Sequence, residues 1–230
     1  MIGMSVEPTA YDKIKEYLFK NVLTTVDEIN RLLPDSLLFG SLLLYILTHN
    51  ISFGIFSLFL VESSLLHRLI ALGFNKAVGL TPVTKEAKCY TGFRTPRLEV
   101  ERMLSSNQYP SISTYTLSAI STYLGLSMNS FRDTLDTMGP EWTARFGVAI
   151  GFIVTFVTLF LLTRFMRGCE TFSEMMTASM FGILVGGLSY VFHSKVFGQE
   201  SVNFLGLPFL VDKSSKGEPI YVCTSSKVGE

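Results

Sequence analysis

Three polar segments could hold chemistry. Lys88 and Arg94 lie in the segment Lys88 to Pro96, KCYTGFRTP. Ser111 and Ser113 lie in Tyr109 to Thr114, YPSIST. Arg164, Glu170 and Glu174 lie in Thr163 to Glu174, TRFMRGCETFSE, six and then four residues apart. Ammonium and guanidinium groups beside hydroxyl donors hold phosphate oxygens through charge-assisted hydrogen bonds. A reaction there also needs a nucleophile and an acid. The chain has three histidines, His49, His67 and His193, and none falls inside these segments. The three cysteines, Cys89, Cys169 and Cys223, show no C-x-x-C and no zinc spacing, so they read as reduced structural thiols, and no metal or cofactor is expected.

The elements around these segments are those of a membrane protein. Of 230 residues, 48% are hydrophobic and 17% charged, against about 25% charged in soluble domains. Mean hydropathy is +0.38. Net charge is zero, which argues against a nucleic-acid partner. The start, MIGMSVEPTAYDKIKEY, has no apolar core of a signal peptide, and position 2 is not Gly, so neither cleavage nor myristoylation is expected. Three divisions follow: an amphipathic N-terminal helix over 1–35, a transmembrane bundle over 36–198 and a polar tail over 199–230.

The N-terminal helix spaces Tyr11, Ile14, Leu18, Val22, Ile29 and Leu33 along one side, with Pro34 marking its end or a kink. Ser36 to Thr48 is apolar but short of the roughly 20 residues of a span, so it crosses only if the helix starts before Pro34, or else is re-entrant. Ile51 to Leu72 is long enough, and carries Glu62 at depth and His67 and Arg68 near its end. An intramembrane carboxylate is costly, so Glu62 calls for a partner in the bundle. A helix from Pro110 to Met128 is rich in hydroxyls and should face protein rather than lipid. Trp142 and Arg145 stand as interface anchors before the span Ala144 to Thr163. The last span, Met175 to Phe192, bears Ala178, Gly182 and Gly186, a seam for close helix contact. The expected fold is therefore all-α: a polytopic bundle of about five spans, with a β-hairpin-like tail after Gln199 broken by Pro208 and Pro219. That topology places 13 of the 19 basic residues on the side of the three polar segments, which the positive-inside rule makes cytoplasmic.

With the three segments on one membrane face, the chain resembles the type 2 phosphatidic acid phosphatase superfamily over roughly residues 50 to 193. That family carries the motifs K-x6-R-P, P-S-G-H and S-R-x5-H-x3-D in this order, with one further span between the last two. Arg164 takes the arginine position of the third motif, Glu170 falls where the family has its nucleophilic histidine, and Glu174 where it has the orienting aspartate. Pro110-Ser111 begin the second motif, with Ile112 for Gly and Ser113 for the acid histidine. Lys88 and Arg94 match the first motif one residue too close, and Thr95 precedes Pro96. The resemblance implies a phosphate cradle of Lys88, Arg94, Ser111 and Arg164, with Ser113, Glu170 and Glu174 in place of the catalytic residues. Both histidines of the family chemistry are replaced. The expectation is a catalytically inactive, phosphatase-like integral membrane protein. It would serve as a scaffold or bind a lipid head group, with membrane lipids and other proteins of a membrane assembly as partners. The alternatives are an active lipid phosphatase or phosphotransferase with an unusual nucleophile, and a small transporter or channel subunit built around Glu62.

Overall fold

Backbone in a bilayer has no water to bond to, so apolar runs become helices that satisfy their own N–H and C=O groups. The computed structural model describes residues 10–78, 89 and 109–204, and among them the regular structure is helical, with no strand. The helices are α1 (Ala10–Thr48), α2 (Ile51–Val78), α3 (Ile112–Ser130), the short α4 (Arg132–Met138), α5 (Pro140–Met166) and α6 (Phe172–Val196). A 3-10 turn, Gln199–Val202, follows. Three stretches are long and apolar enough to cross a membrane: Ile51–Phe74 of α2, all of α5 and all of α6. The protein is an integral membrane protein by this criterion.

Small residues decide how the bundle closes. α3 and α6 run parallel, with Tyr115 and Ser118 facing Gly182, and Ala119 facing Gly186. A Cβ on Gly182 would stand 2.5 Å from the carbonyl oxygen of Tyr115, and one on Gly186 would collide with the carbonyl oxygen of Ala119. Backbone therefore lies on backbone along the seam that the Ala178–Gly182–Gly186 spacing predicts. α2 packs antiparallel to α3 on another side. Phe56, Phe59 and Leu60 of α2 meet Ile120 and Tyr123 of α3 in the main apolar core, which Val202 of the 3-10 turn closes. Phe59 and Tyr123 are stacked with ring centroids 4.3 Å apart. α5 is the outlier: 11% of its span is buried, and the Gly147 and Gly151 faces meet nothing.

Some expectations need correction. α1 is one helix of 39 residues that passes through Pro34, so 36–48 continues the N-terminal helix. Its apolar part, Leu32–Thr48, is held to α2 by a hydrogen bond of 2.8 Å between the hydroxyls of Ser41 and Ser57. Thr163 to Phe165 belong to α5 itself, because the helix runs on to Met166. Gln199–Val202 form a 3-10 turn rather than the start of a hairpin, and the rest of the expected hairpin, with Pro208 and Pro219, lies outside the described residues.

The seam sets a testable cost. Gly186→Leu forces α3 and α6 apart and should lower unfolding stability in detergent by about 3 kcal/mol, the upper end for overpacking. Gly187→Ala, whose new Cβ would meet only Leu126 at 4.0 Å, should change it little. Equal effects from the two substitutions would show that the seam does not hold the bundle.

Candidate functional site

The site is built by the turn between α5 and α6. α5 ends with Arg167, and Gly168 follows with φ +65°, a left-handed conformation that glycine adopts without strain. The Gly168 N–H donates to the carbonyl of Phe165 and the Cys169 N–H to that of Arg164. These are the two bonds of a Schellman helix end. They reverse the chain so that Glu170 comes back onto Arg164. Thr171 then caps α6: its hydroxyl accepts from the Glu174 N–H at 3.3 Å, and the Glu174 carboxylate accepts from the Thr171 N–H at 2.8 Å. This is a reciprocal capping box. Glu174 thus serves the start of the helix.

Glu170 is the centre. Its Oε1 accepts from Arg164 Nη2 at 2.8 Å, from Arg164 Nε at 2.9 Å and from the Ser111 hydroxyl at 2.6 Å. Its Oε2 accepts from the Thr114 hydroxyl. The side chain of Glu170 is 0% exposed and that of Arg164 3%. Ser111 occupies the N-cap position of α3 yet makes no capping bond, because its hydroxyl is turned to the carboxylate. Ser111 and Thr114 are three residues apart on a helix and so share a face. Two helix ends and the first turn of a third thus converge on one carboxylate.

A fourth segment covers it. Arg164 Nη2 also donates to the carbonyl oxygen of Cys89 at 3.0 Å. Cys89 and Cys169 form a disulfide that joins positions 80 residues apart in the chain. The expectation of reduced thiols is therefore wrong for these two, and Cys223 lies outside the described residues. Spacing alone cannot pair two cysteines brought together by a helix reversal.

Of the predicted residues, Arg164, Glu170 and Ser111 come together. Ser113 is buried in α3, but the hydroxyls on Glu170 are those of Ser111 and Thr114. Lys88 and Arg94 lie outside the described residues. Thr114 and the Cys89 carbonyl were missed. The i, i+3 spacing from Ser111 was a signal for the first; no sequence signal marks a backbone carbonyl. His67 was placed at a helix end, but it is fully buried within α2, with Nε2 donating to the carbonyl oxygen of Pro110 at 2.8 Å and the ring 4.9 Å from that of Tyr115. Its Nδ1 is buried without a hydrogen-bond partner.

A second polar cluster joins the middle of α2 to the C-terminal part of α6. His193, fully buried on α6, bonds through Nε2 to Glu62 Oε2 at 3.1 Å and through Nδ1 to the Tyr123 hydroxyl at 3.0 Å. Glu62 thus has the partner in the bundle that its depth in α2 demands. From residue 172 to residue 193 a helix rises about 32 Å, so the two clusters stand near opposite ends of α6. No protein-family model, no curated protein and no solved structure matches the chain.

Chemically, the first site is an anion cradle whose anion is part of the chain. Both Glu170 oxygens accept hydrogen bonds from groups carried at or near helix ends. Arg164→Met should destabilise the protein by about 3–5 kcal/mol, because a buried carboxylate is left without its cation. The double variant Arg164→Met/Glu170→Leu should unfold later than Arg164→Met alone in a denaturant titration. A double variant less stable than the single one would show that the pair is not the coupled unit described.

Proposed function

We propose that this chain is a non-catalytic, phosphatase-like membrane protein whose phosphate cradle holds its own carboxylate, and that it acts as a structural unit of a larger membrane assembly. The supporting observation is the occupancy of the cradle: Arg164, Ser111 and Thr114 all donate to Glu170. A phosphate monoester would have to displace a carboxylate that is covalently part of the site. Glu170 is also a poor nucleophile toward a phosphate, since its charge repels the phosphate oxygens and Arg164 already neutralises it.

General acid catalysis is missing as well, a contribution worth roughly 10²–10⁴-fold. His67 does not restore it. Its Nε2 is engaged by the Pro110 carbonyl, and none of its hydrogen bonds reaches Arg164, Ser111 or Glu170. Retention of the cradle without the histidines fits a fold kept for its shape. Five crossings fit the same reading: α2, α5 and α6, joined by α3, which lies along α6, and by the apolar part of α1. Lipid head groups remain the natural ligands of Lys88 and Arg94, if these reach the same face.

The reading also assigns a side to the membrane. Basic-residue bias points the α5–α6 turn to the cytoplasm, whereas a disulfide persists in oxidising compartments. We give the covalent bond more weight, because it ties Cys89 over the buried pair and has to form where thiols oxidise. The α5–α6 turn then faces a non-cytoplasmic or otherwise oxidising space.

Two measurements test these statements. The purified protein should release no phosphate from phosphatidic acid, diacylglycerol pyrophosphate or isoprenyl pyrophosphates, while Glu170→Gln should bind inorganic phosphate more tightly than the unmodified chain. Robust release by the unmodified protein, lost in Glu170→Gln, would make it an enzyme with an altered nucleophile. For the side, a Cys223→Ser variant in sealed vesicles should react with an impermeant maleimide, after an impermeant reductant, only from the non-cytoplasmic face. Labelling from the cytoplasmic face alone would reverse the assignment.

A further inference from the structure

Glu170 and Glu62 are both carboxylates in an apolar bundle, but they are satisfied to different degrees. Both oxygens of Glu170 are bonded and its side chain is 0% exposed. Glu62 uses only Oε2, toward His193, and its side chain is 35% exposed. Its Oε1 has no hydrogen-bond partner among the described residues. Glu62 stands midway along the Ile51–Phe74 span, where the surroundings are acyl chains or another protein. Charged groups at that depth face a bundle interior or a water-filled cavity as a rule, and seldom lipid.

The face around Glu62 has its own pattern. Leu58, Val61, Leu65, Leu69 and Leu72 are all exposed. Their spacing of three and four residues draws one stripe along α2, the seam with which a helix packs against a neighbour at a shallow angle. The opposite face of α2, with Phe59, Ser63, His67 and Ala71, is already buried in this chain. The stripe is therefore an exposed apolar face with a half-satisfied carboxylate beside its centre.

We propose that this face of α2 docks a membrane-spanning helix of a different protein, one that carries a lysine or arginine at mid-membrane depth opposite Glu62. Charge complementarity selects the partner. A cation from the neighbour would give Oε1 its missing donor and remove the carboxylate from lipid. A second copy of this chain does not supply that cation. Between Arg145 and Arg164 the α5 span has no Lys or Arg, Leu32–Thr48 has none, and α6 has none before Lys195 near its end. Arg68, the nearest on α2 itself, already has an interaction partner of its own. Intramembrane ion pairs of this kind select partners, because mismatched spans leave a charge unpaired in hydrocarbon. The inference rests on the reading of the chain as part of a membrane assembly, but not on the inactivity of the Arg164 cradle.

The test uses two synthetic membrane-spanning peptides, identical except for Lys or Leu at the midpoint. Each is mixed with the labelled full chain in phosphatidylcholine vesicles, and association is read by energy transfer. The Lys peptide should bind about tenfold more tightly than the Leu peptide, the size of a strong interhelical polar contact. Glu62→Gln, which keeps a hydrogen-bonding group for His193, should erase that difference. Leu65→Trp, on the exposed stripe, should weaken the Lys peptide without touching the bundle, so the test stands even where Glu62→Gln folds poorly. Equal binding of the two peptides to the unmodified chain overturns the proposal. So does a preference that survives in Glu62→Gln, or Glu62-dependent pairing between two labelled copies of the chain. None of these outcomes bears on phosphate release, so this proposal and the inactive cradle fail separately.

Discussion

Two opposite charges removed from water must be removed together. Arg164 and Glu170 are both essentially inaccessible, and each is tolerable only because the other is within 2.8 Å. That constraint reaches well beyond the pair. Arg164 sits in the last turn of α5, and Glu170 lies two residues before α6 begins, so the turn between them must reverse tightly. The left-handed Gly168 and the two Schellman bonds accomplish the reversal. The carboxylate has more lone pairs than one guanidinium satisfies, so the first turn of α3 contributes Ser111 and Thr114. The guanidinium has more donors than one carboxylate accepts, so the Cys89 carbonyl takes one. Each added partner recruits a further segment of the chain, which is how one ion pair comes to organise four.

The α3–α6 seam makes the convergence possible. Ser111 and Thr114 reach Glu170 only if α3 lies against the start of α6, and glycines at 182 and 186 let the two backbones touch. The same parallel contact carries Tyr123 to His193 near the other end. Between these points Tyr115 donates to the Ser63 carbonyl of α2 at 3.0 Å. The hydroxyls of α3 are thus spent on three neighbours in succession. This explains why so polar a helix can sit inside an apolar bundle: its polar groups face protein, where partners exist, rather than acyl chains.

Periodic features were legible in the sequence, and features created by meeting of distant segments were not. The apolar spans, the small-residue seam and the hydroxyl-rich character of α3 are local patterns. Ser111, Arg164 and Glu170, from two of the three polar segments expected on one face, do meet in the structure. The disulfide was not legible, because 80 residues separate its cysteines and only the turn after α5 aligns them. Nor was the role of Glu174: the spacing that suggested an orienting partner also places it three residues after Thr171, and the local capping box took it. Pro34 was misleading in the same way, since a proline that ordinarily ends a helix is passed within α1. In the sequence His67 lies near the end of the apolar run Ile51 to Leu72. The helix continues beyond it to Val78, which puts it inside.

The two carboxylates are satisfied to different degrees. A charge that is bonded on every side and sealed from solvent has no interaction left to make, and Glu170 is in that state. A charge bonded on one side and open on the other has an interaction still to make. Glu62 is in that state, on a helix whose outer face is otherwise leucine and valine. Hydrocarbon cannot complete it, and no other spanning segment of this chain carries a cation at that depth. The Arg164–Glu170 cluster is therefore closed on itself, and the middle of α2 is where the proposed partner helix would dock.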